Sequence, residues 1–188
     1  MPYETHEVLN QPPPLAGYNL FTSDAPLRDA ILRAGVDWAR ERLTRYGAEL
    51  GAPEFIDQGR LANEHPPRLR THDRYGRRID EVEFHPAYHA LMTKGVAARV
   101  HALPWIESPP AGAHTVRVAQ HYMLTQIEAG VGCPLTMTFA GPPALRKQPE
   151  LADEWIPRLV SDEYDPRMIP PERKRGCLMG MAMTEKQG

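Results

Sequence analysis

The chain has 188 residues, a formal net charge of -2 and 41% hydrophobic residues. That length holds one domain, or one domain and the start of another, with enough apolar residues for a sizeable core. The near-neutral, mixed charge gives no electrostatic ground for nucleic acid or an anionic membrane as partner. Two cysteines make no disulfide framework and suit a reducing cytoplasm. The N-terminus lacks the basic-then-apolar order of a signal peptide, and no apolar stretch approaches the ~20 residues of a membrane span.

In chain order, residues 1–22 read as an extended arm. Pro12, Pro13 and Pro14 force an extended stretch, while Tyr18, Leu20 and Phe21 are apolar enough to pack on the arm's own domain or on a neighbouring subunit; the alternative is a frayed tail. Asp24 before Ala25-Pro26 is a helix start. Two apolar stripes then run through Leu27, Ile31, Ala34, Trp38 and through Leu32, Val36, Ala39, Leu43, Tyr46, Leu50. They predict one long helix with a broad buried face, ended by Gly47 and Gly51. Pro53 opens a shorter helix that stops near Asn63, before Pro66-Pro67. Residues 68–84 are charged and read as a surface connection with a turn over residues 73–76.

His85-Pro86 starts a further helix with Tyr88, Leu91, Met92 and Val96 inward. After a proline loop around Trp105, Val116, Ala119, Met123 and Ile127 define the best-marked later helix. Pro134 begins another, through about Ala140, closed by Gly141-Pro142-Pro143. A weak helical pattern resumes over residues 145–155, and residues 157–171 read as loop. From Gly176 the pattern changes to period two, with Met179, Met181 and Met183 on one parity and Gly180 and Ala182 on the other. That alternation predicts a strand. The expected division is therefore an arm (1–22), a helical domain (23–156), and a linker with the first strand of a β domain (157–188). The expected class is mainly α.

Among constellations, His85 and His89 have the four-residue spacing of a zinc-binding helix, but the intervening glutamate is missing and Pro86 makes His85 a cap. No metal site is expected. Nucleophile-elbow, phosphate-loop and dinucleotide fingerprints are absent. Cys133 before Pro134 is read as a small buried residue, and Arg173, Lys174 and Arg175 as a solvated lead-in to the strand. Thr136, Thr138 and Phe139 lie on a short apolar helix and are read as a pocket wall whose hydroxyls orient a ligand. Small side chains along residues 180–182 let a flat ring approach the backbone. The strand end and Thr184 add the hydrogen-bond donors a flavin edge requires.

Met183-Thr184-Glu185 before a glycine turn resembles the flavin signature of the acyl-CoA dehydrogenases, and the following Lys186-Gln187-Gly188 is similar to their AidB-like branch. Matching stretches spread along the chain: Thr5-His6, Asn10-Gln11-Pro12, residues 59–63, Phe84-His85-Pro86 with His89, Glu128-Ala129-Gly130, residues 133–140, and Ser161-Asp162 before Tyr164-Asp165. The resemblance implies the helical N-terminal domain of that fold, ending in the first strand of the central β domain. It implies FAD as cofactor, held by Met181, Ala182, Met183, Thr184, Gln187 and Gly188, and an acyl-CoA substrate lined by Thr136, Thr138 and Phe139. It implies αβ-dehydrogenation by a homotetramer. The Gly-Ser-Asp half of the signature and the catalytic glutamate are expected after Gly188, so the chain is expected to be the front part of a longer enzyme. The alternative within the branch is a DNA-binding, alkylation-protecting flavoprotein whose DNA contacts lie in the C-terminal part.

Overall fold

The computed structural model describes Tyr3 and residues 5–182. Helices dominate: α1 (Ala25–Arg33), α2 (Arg40–Leu50), α3 (Pro53–Glu64), α4 (Pro86–Ala97), α5 (Ala113–Ile127), α6 (Gly132–Leu145) and α7 (Pro149–Leu159). A hairpin of β1 (Arg68–His72) and β2 (Arg78–Glu83) separates α3 from α4. No helix among the described residues is long and apolar enough to cross a membrane.

The long first helix expected from the two stripes is broken. Gly35 adopts φ +65, in the left-handed region that glycine enters without a Cβ clash. It follows α1, and a short 3-10 turn (Asp37–Ala39) leads into α2. The α1 start is as read: Asp24 Oδ1 accepts from Leu27 N at 2.9 Å. Gly47 does not end α2 but lies inside it, while Gly51 is its C-cap. Both are spacers. A Cβ on Gly47 would stand 2.6 Å from Phe21 N, and one on Gly51 would stand 1.6 Å from Tyr18 O. The arm therefore lies directly on α2 from Gly17, whose N–H donates to Gly51 O at 2.8 Å. Leu20 and Phe21 are buried as expected, whereas residues 5–15 are exposed.

The core is formed where α2, α4 and α5 meet. Leu43, Leu50, Leu91, Met92, Val96, Val116, Met123 and Leu124 are buried there, with Leu135 from α6. Each is worth about 1.5–3 kcal/mol of transfer free energy at most. The apolar spacings of α4 and α5 are those read from sequence.

Residues 68–83 are not a plain connection. β1 and β2 pair antiparallel, with Leu69 opposite Val82 and Arg70 opposite Glu81. The turn is at residues 73–76, where Asp73 Oδ1 accepts from Tyr75 N and Arg77 N. Every residue of both strands is exposed. The half-buried alternation that marks a strand in sequence is thus absent. At the other end, α7 runs to Leu159 and contains Pro157, so the expected linker begins inside it. The strand expected from Gly176 joins no ladder over residues 176–182. A strand needs a neighbour for its backbone groups. Here Cys177 N donates to Arg158 O at 3.1 Å and Met179 N to Thr138 Oγ1 at 2.9 Å. Met183, Thr184, Gln187 and Gly188 lie outside the described residues.

Candidate functional site

Proline chemistry shapes α6 and what surrounds it. The helix was expected to close at Gly141-Pro142-Pro143 but runs through to Leu145. Proline has no N–H, so Pro143 leaves the carbonyl of Phe139, four residues back, without a helical donor. Trp105 Nε1 supplies one at 2.8 Å. The two rings stack, with centroids 5.1 Å apart and an interplanar angle of 30°. His114 meets both edge-on, Arg117 lies 3.9 Å over the Phe139 ring, and Arg146 lies 5.3 Å over Trp105. Aromatic faces flanked by guanidinium groups form one rigid block. Arg117 is buried and donates from Nε to Val100 O at 2.8 Å.

His114 also lines a groove of about 610 Å³ between α1 and α5. Its walls are mostly apolar: Leu27, Ala30 and Ile31 from α1 face Val118 and Ala119 from α5. At one side Tyr122 donates from its hydroxyl to Asp24 Oδ2 at 3.2 Å. That bond to the carboxylate raises the Tyr122 pKa, and the tyrosine stays neutral. Nothing in the sequence marked this groove, because Val118 and Tyr122 fall off the buried stripe of α5 and read as surface.

The residues expected to line a pocket on α6 separate. Phe139 is half-buried in the aromatic block that adjoins the groove. Thr136 is exposed and lines neither the α1–α5 groove nor the cavity beside α4. Thr138 is fully buried. Its hydroxyl, expected to orient a ligand, donates to Pro134 O at 2.8 Å and accepts from Met179 N. It is a tether for the following segment. Gly141 makes room for it: a Cβ there would stand 2.4 Å from Met179 Sδ.

That tether fixes the segment expected to meet a flavin. Gly180, Met181 and Ala182 are exposed, and a Cβ added at Gly180 would meet nothing within 4 Å. The hydroxyl and turn donors assigned to the flavin ring belong to residues outside the described ones.

A second cavity, of about 390 Å³, lies between α4 and residues 161–178. Tyr164 and His89 meet there at 2.9 Å, beside the stacked rings of Phe84 and Tyr88. Burial pushes the Tyr164 hydroxyl well up and the His89 imidazole down, so both are neutral. His101, buried at the base, bonds through Nε2 to the carbonyl of Ser161 at 3.0 Å. A carbonyl only accepts, so Nε2 carries the proton. Burial lowers the pKa of His101 to about 4. Asp165 accepts from the Arg167 guanidinium and from Arg175 N, and those bonds hold its carboxyl well below the usual range. The sequence reading gave Tyr164 and Asp165 no role beyond the family likeness, weighed His89 only as a metal ligand, and did not join these residues into a site.

His85 is a cap, accepting at Nδ1 from Ala87 N at 3.2 Å. No group of three His, Cys, Asp or Glu side chains among the described residues is placed to hold a metal ion. Cys133 is exposed, not buried, because it begins α6 on the solvent side. The buried position at that end is Val131, whose N–H donates to Glu128 Oε2 at 2.7 Å.

Comparison with known proteins places this geometry in a family. Residues 10–166 match the family described as the adaptive response protein AidB N-terminal domain. The whole chain is 46% identical to AidB of Escherichia coli (strain K12), whose name assigns it provisionally to the acyl-CoA dehydrogenases, and spans 35% of that protein. Two solved structures share the fold. Bd2924 in its apo form aligns with a TM-score of 0.78 at 23% identity, over 92% of this chain and 34% of that one. Caenorhabditis elegans ACDH-11, in complex with C11-CoA, aligns with a TM-score of 0.72 at 22% identity, over 100% of this chain and 32% of that one. The chain spans about a third of the length of these relatives. It belongs to the AidB N-terminal domain family and has the mostly helical fold of the N-terminal domain in the acyl-CoA dehydrogenases.

Proposed function

We propose that this chain is the front part of an FAD-dependent flavoprotein that dehydrogenates an acyl-CoA thioester, with its helices forming one wall of the acyl site. The observation that carries the reading is the apolar groove between α1 and α5, continuous through His114 with the Trp105–Phe139 block. An acyl chain is recognised by burial against aliphatic walls, with polar groups confined to the ends. The relation to the E. coli protein and the C11-CoA complex of a fold neighbour support that choice of ligand. FAD would accept the hydride when bound. This chain's part is to tether the flavin-contacting segment, Met181 to Gly188, through Thr138 and to exclude water from the groove. Thr136 falls outside this assignment, Thr138 acts through Met179, and Phe139 backs His114 at the end of the groove. Homotetramer formation and a cytoplasmic location accompany the reading.

The test is made on the full-length protein, which is expected to purify yellow and to bleach on addition of acyl-CoA. Val118→Trp, which fills the groove from an exposed position, should reduce kcat/KM for a long acyl-CoA by about tenfold or more. Flavin content should not change. Unchanged turnover in that variant would remove the groove from the acyl site. A colourless protein that cannot be reconstituted with FAD would overturn the flavoprotein reading. Salt-dependent DNA binding without acyl-CoA turnover would instead favour the alkylation-protection alternative.

A further inference from the structure

On the side of α2 away from the groove, a small cleft of about 160 Å³ opens between α2 and α4, with Gln120 of α5 at its floor. Arg42, Arg45, Tyr46 and Glu49 line it from α2, and Lys94 from α4. Three buried polar atoms on these residues have no partner: Arg42 Nε, Tyr46 Oη and Gln120 Oε1. Tyr46 and Gln120 are more than nine-tenths buried. Orphaned buried polar atoms are rare, and each costs about 1–3 kcal/mol. Three on residues lining one cleft call for an occupant.

The charge around the cleft indicates its kind. Among the described residues, Arg42 and Arg45 form no ion pair with a carboxylate, whereas Lys94 meets Glu49 at 3.1 Å. Three cations therefore face one carboxylate. Arg42 donates through Nη2 to Ala98 O, beyond the end of α4, at 2.6 Å, which leaves Nε unpaired. Burial and then the neighbouring Arg99 and Arg45 lower the Arg42 pKa, so the site disfavours the charge it contains. Water would satisfy the hydrogen bonds but leave that charge uncompensated. The donors at hand are Arg42 Nε–H, the Tyr46 hydroxyl and, with its amide turned over, the Gln120 NH₂. Glu49 is the one acceptor that opposes an anion, and Lys94 already holds it.

We propose that this cleft binds a phosphate-sized tetrahedral oxyanion, held by Arg42, Arg45, Lys94 and the Tyr46 hydroxyl. The cleft, of about 160 Å³, admits such an ion with bridging water. The inference is independent of the flavin reading.

Thermal unfolding of the full-length protein tests it, in a millimolar series of sodium phosphate against sodium chloride at matched ionic strength. Phosphate is expected to raise Tm saturably beyond chloride. Tyr46→Phe removes a hydroxyl that has no partner in the empty site, so by itself it should be neutral or stabilising. It should weaken the apparent phosphate affinity about fivefold, the value of one hydrogen bond. Arg45→Gln, at an exposed position, should weaken it at least as much. A phosphate effect equal in wild type and both variants assigns the ion to another site and overturns the proposal. Absence of any effect beyond chloride means that water alone fills the cleft and overturns it as well.

Discussion

At the residue scale, several side chains are explained by what they leave out. Gly51 and Gly59 carry no Cβ because backbone stands where it would be, Tyr18 O at 1.6 Å and Ile127 O at 2.1 Å. Gly51→Ala must push the arm off α2. It should lower stability by about 3 kcal/mol, read as a fall in Tm, while Gly76→Ala, with open space around it but a φ of +80, should cost only the left-handed backbone strain of about 1–2 kcal/mol. His101 gives a pH dependence whose sign follows from its burial. Its folded pKa is about 4 and its unfolded value is near 6.5. As pH falls below 6.5 the unfolded chain takes up the proton first, so stability declines down to about pH 4 and then levels off. The loss is on the order of 3 kcal/mol. His101→Gln keeps a donor towards Ser161 O and should flatten the slope in urea unfolding between those pH values. An unchanged slope would assign it to other groups. The start signals at Asp24 and His85 were readable because a cap acts on the next three residues. The spacer role of Gly47 was not, because its partner lies 26 residues away.

At the scale of elements, the helices α3 to α5 follow from local pattern, and the departures have physical causes. Gly35 divides what the apolar stripes joined. α6 passes through two prolines because Trp105 takes up one of the carbonyls they release. The β1–β2 hairpin is stabilised by backbone pairing and the Asp73 turn, with no buried face to betray it in sequence. The tether from α6 to Met179 is the element-scale feature with a direct test. Thr138→Val keeps the shape and removes the hydroxyl, leaving Met179 N–H without its acceptor. That should cost about 1–2 kcal/mol and speed proteolysis near residues 176–182, with Thr138→Ser restoring both. If Thr138→Val matches wild type in both measurements, the bond does not hold the segment.

At the scale of the whole molecule, stability is distributed unevenly. The core shared by α2, α4 and α5 contains the fully buried leucines and methionines, and the hairpin contributes no buried residue to it. Amide exchange should therefore be slowest in α2, α4 and α5 and faster by about a hundredfold or more in β1 and β2. Equal protection throughout would mean that the hairpin is covered in solution.

Amino-acid order alone determined the mainly helical class, the helix starts and the buried faces of α4 and α5, because caps and a 3.6-residue period act over one or two turns. It also carried the family resemblance, through motifs spread over the chain. Only the tertiary structure decided that the Thr138 hydroxyl bonds Pro134 O and Met179 N, that Phe139 joins an aromatic block, and that grooves open between α1 and α5 and between α2 and α4. Each depends on residues brought together from distant parts of the chain, where spacing along the sequence holds no information about distance in space.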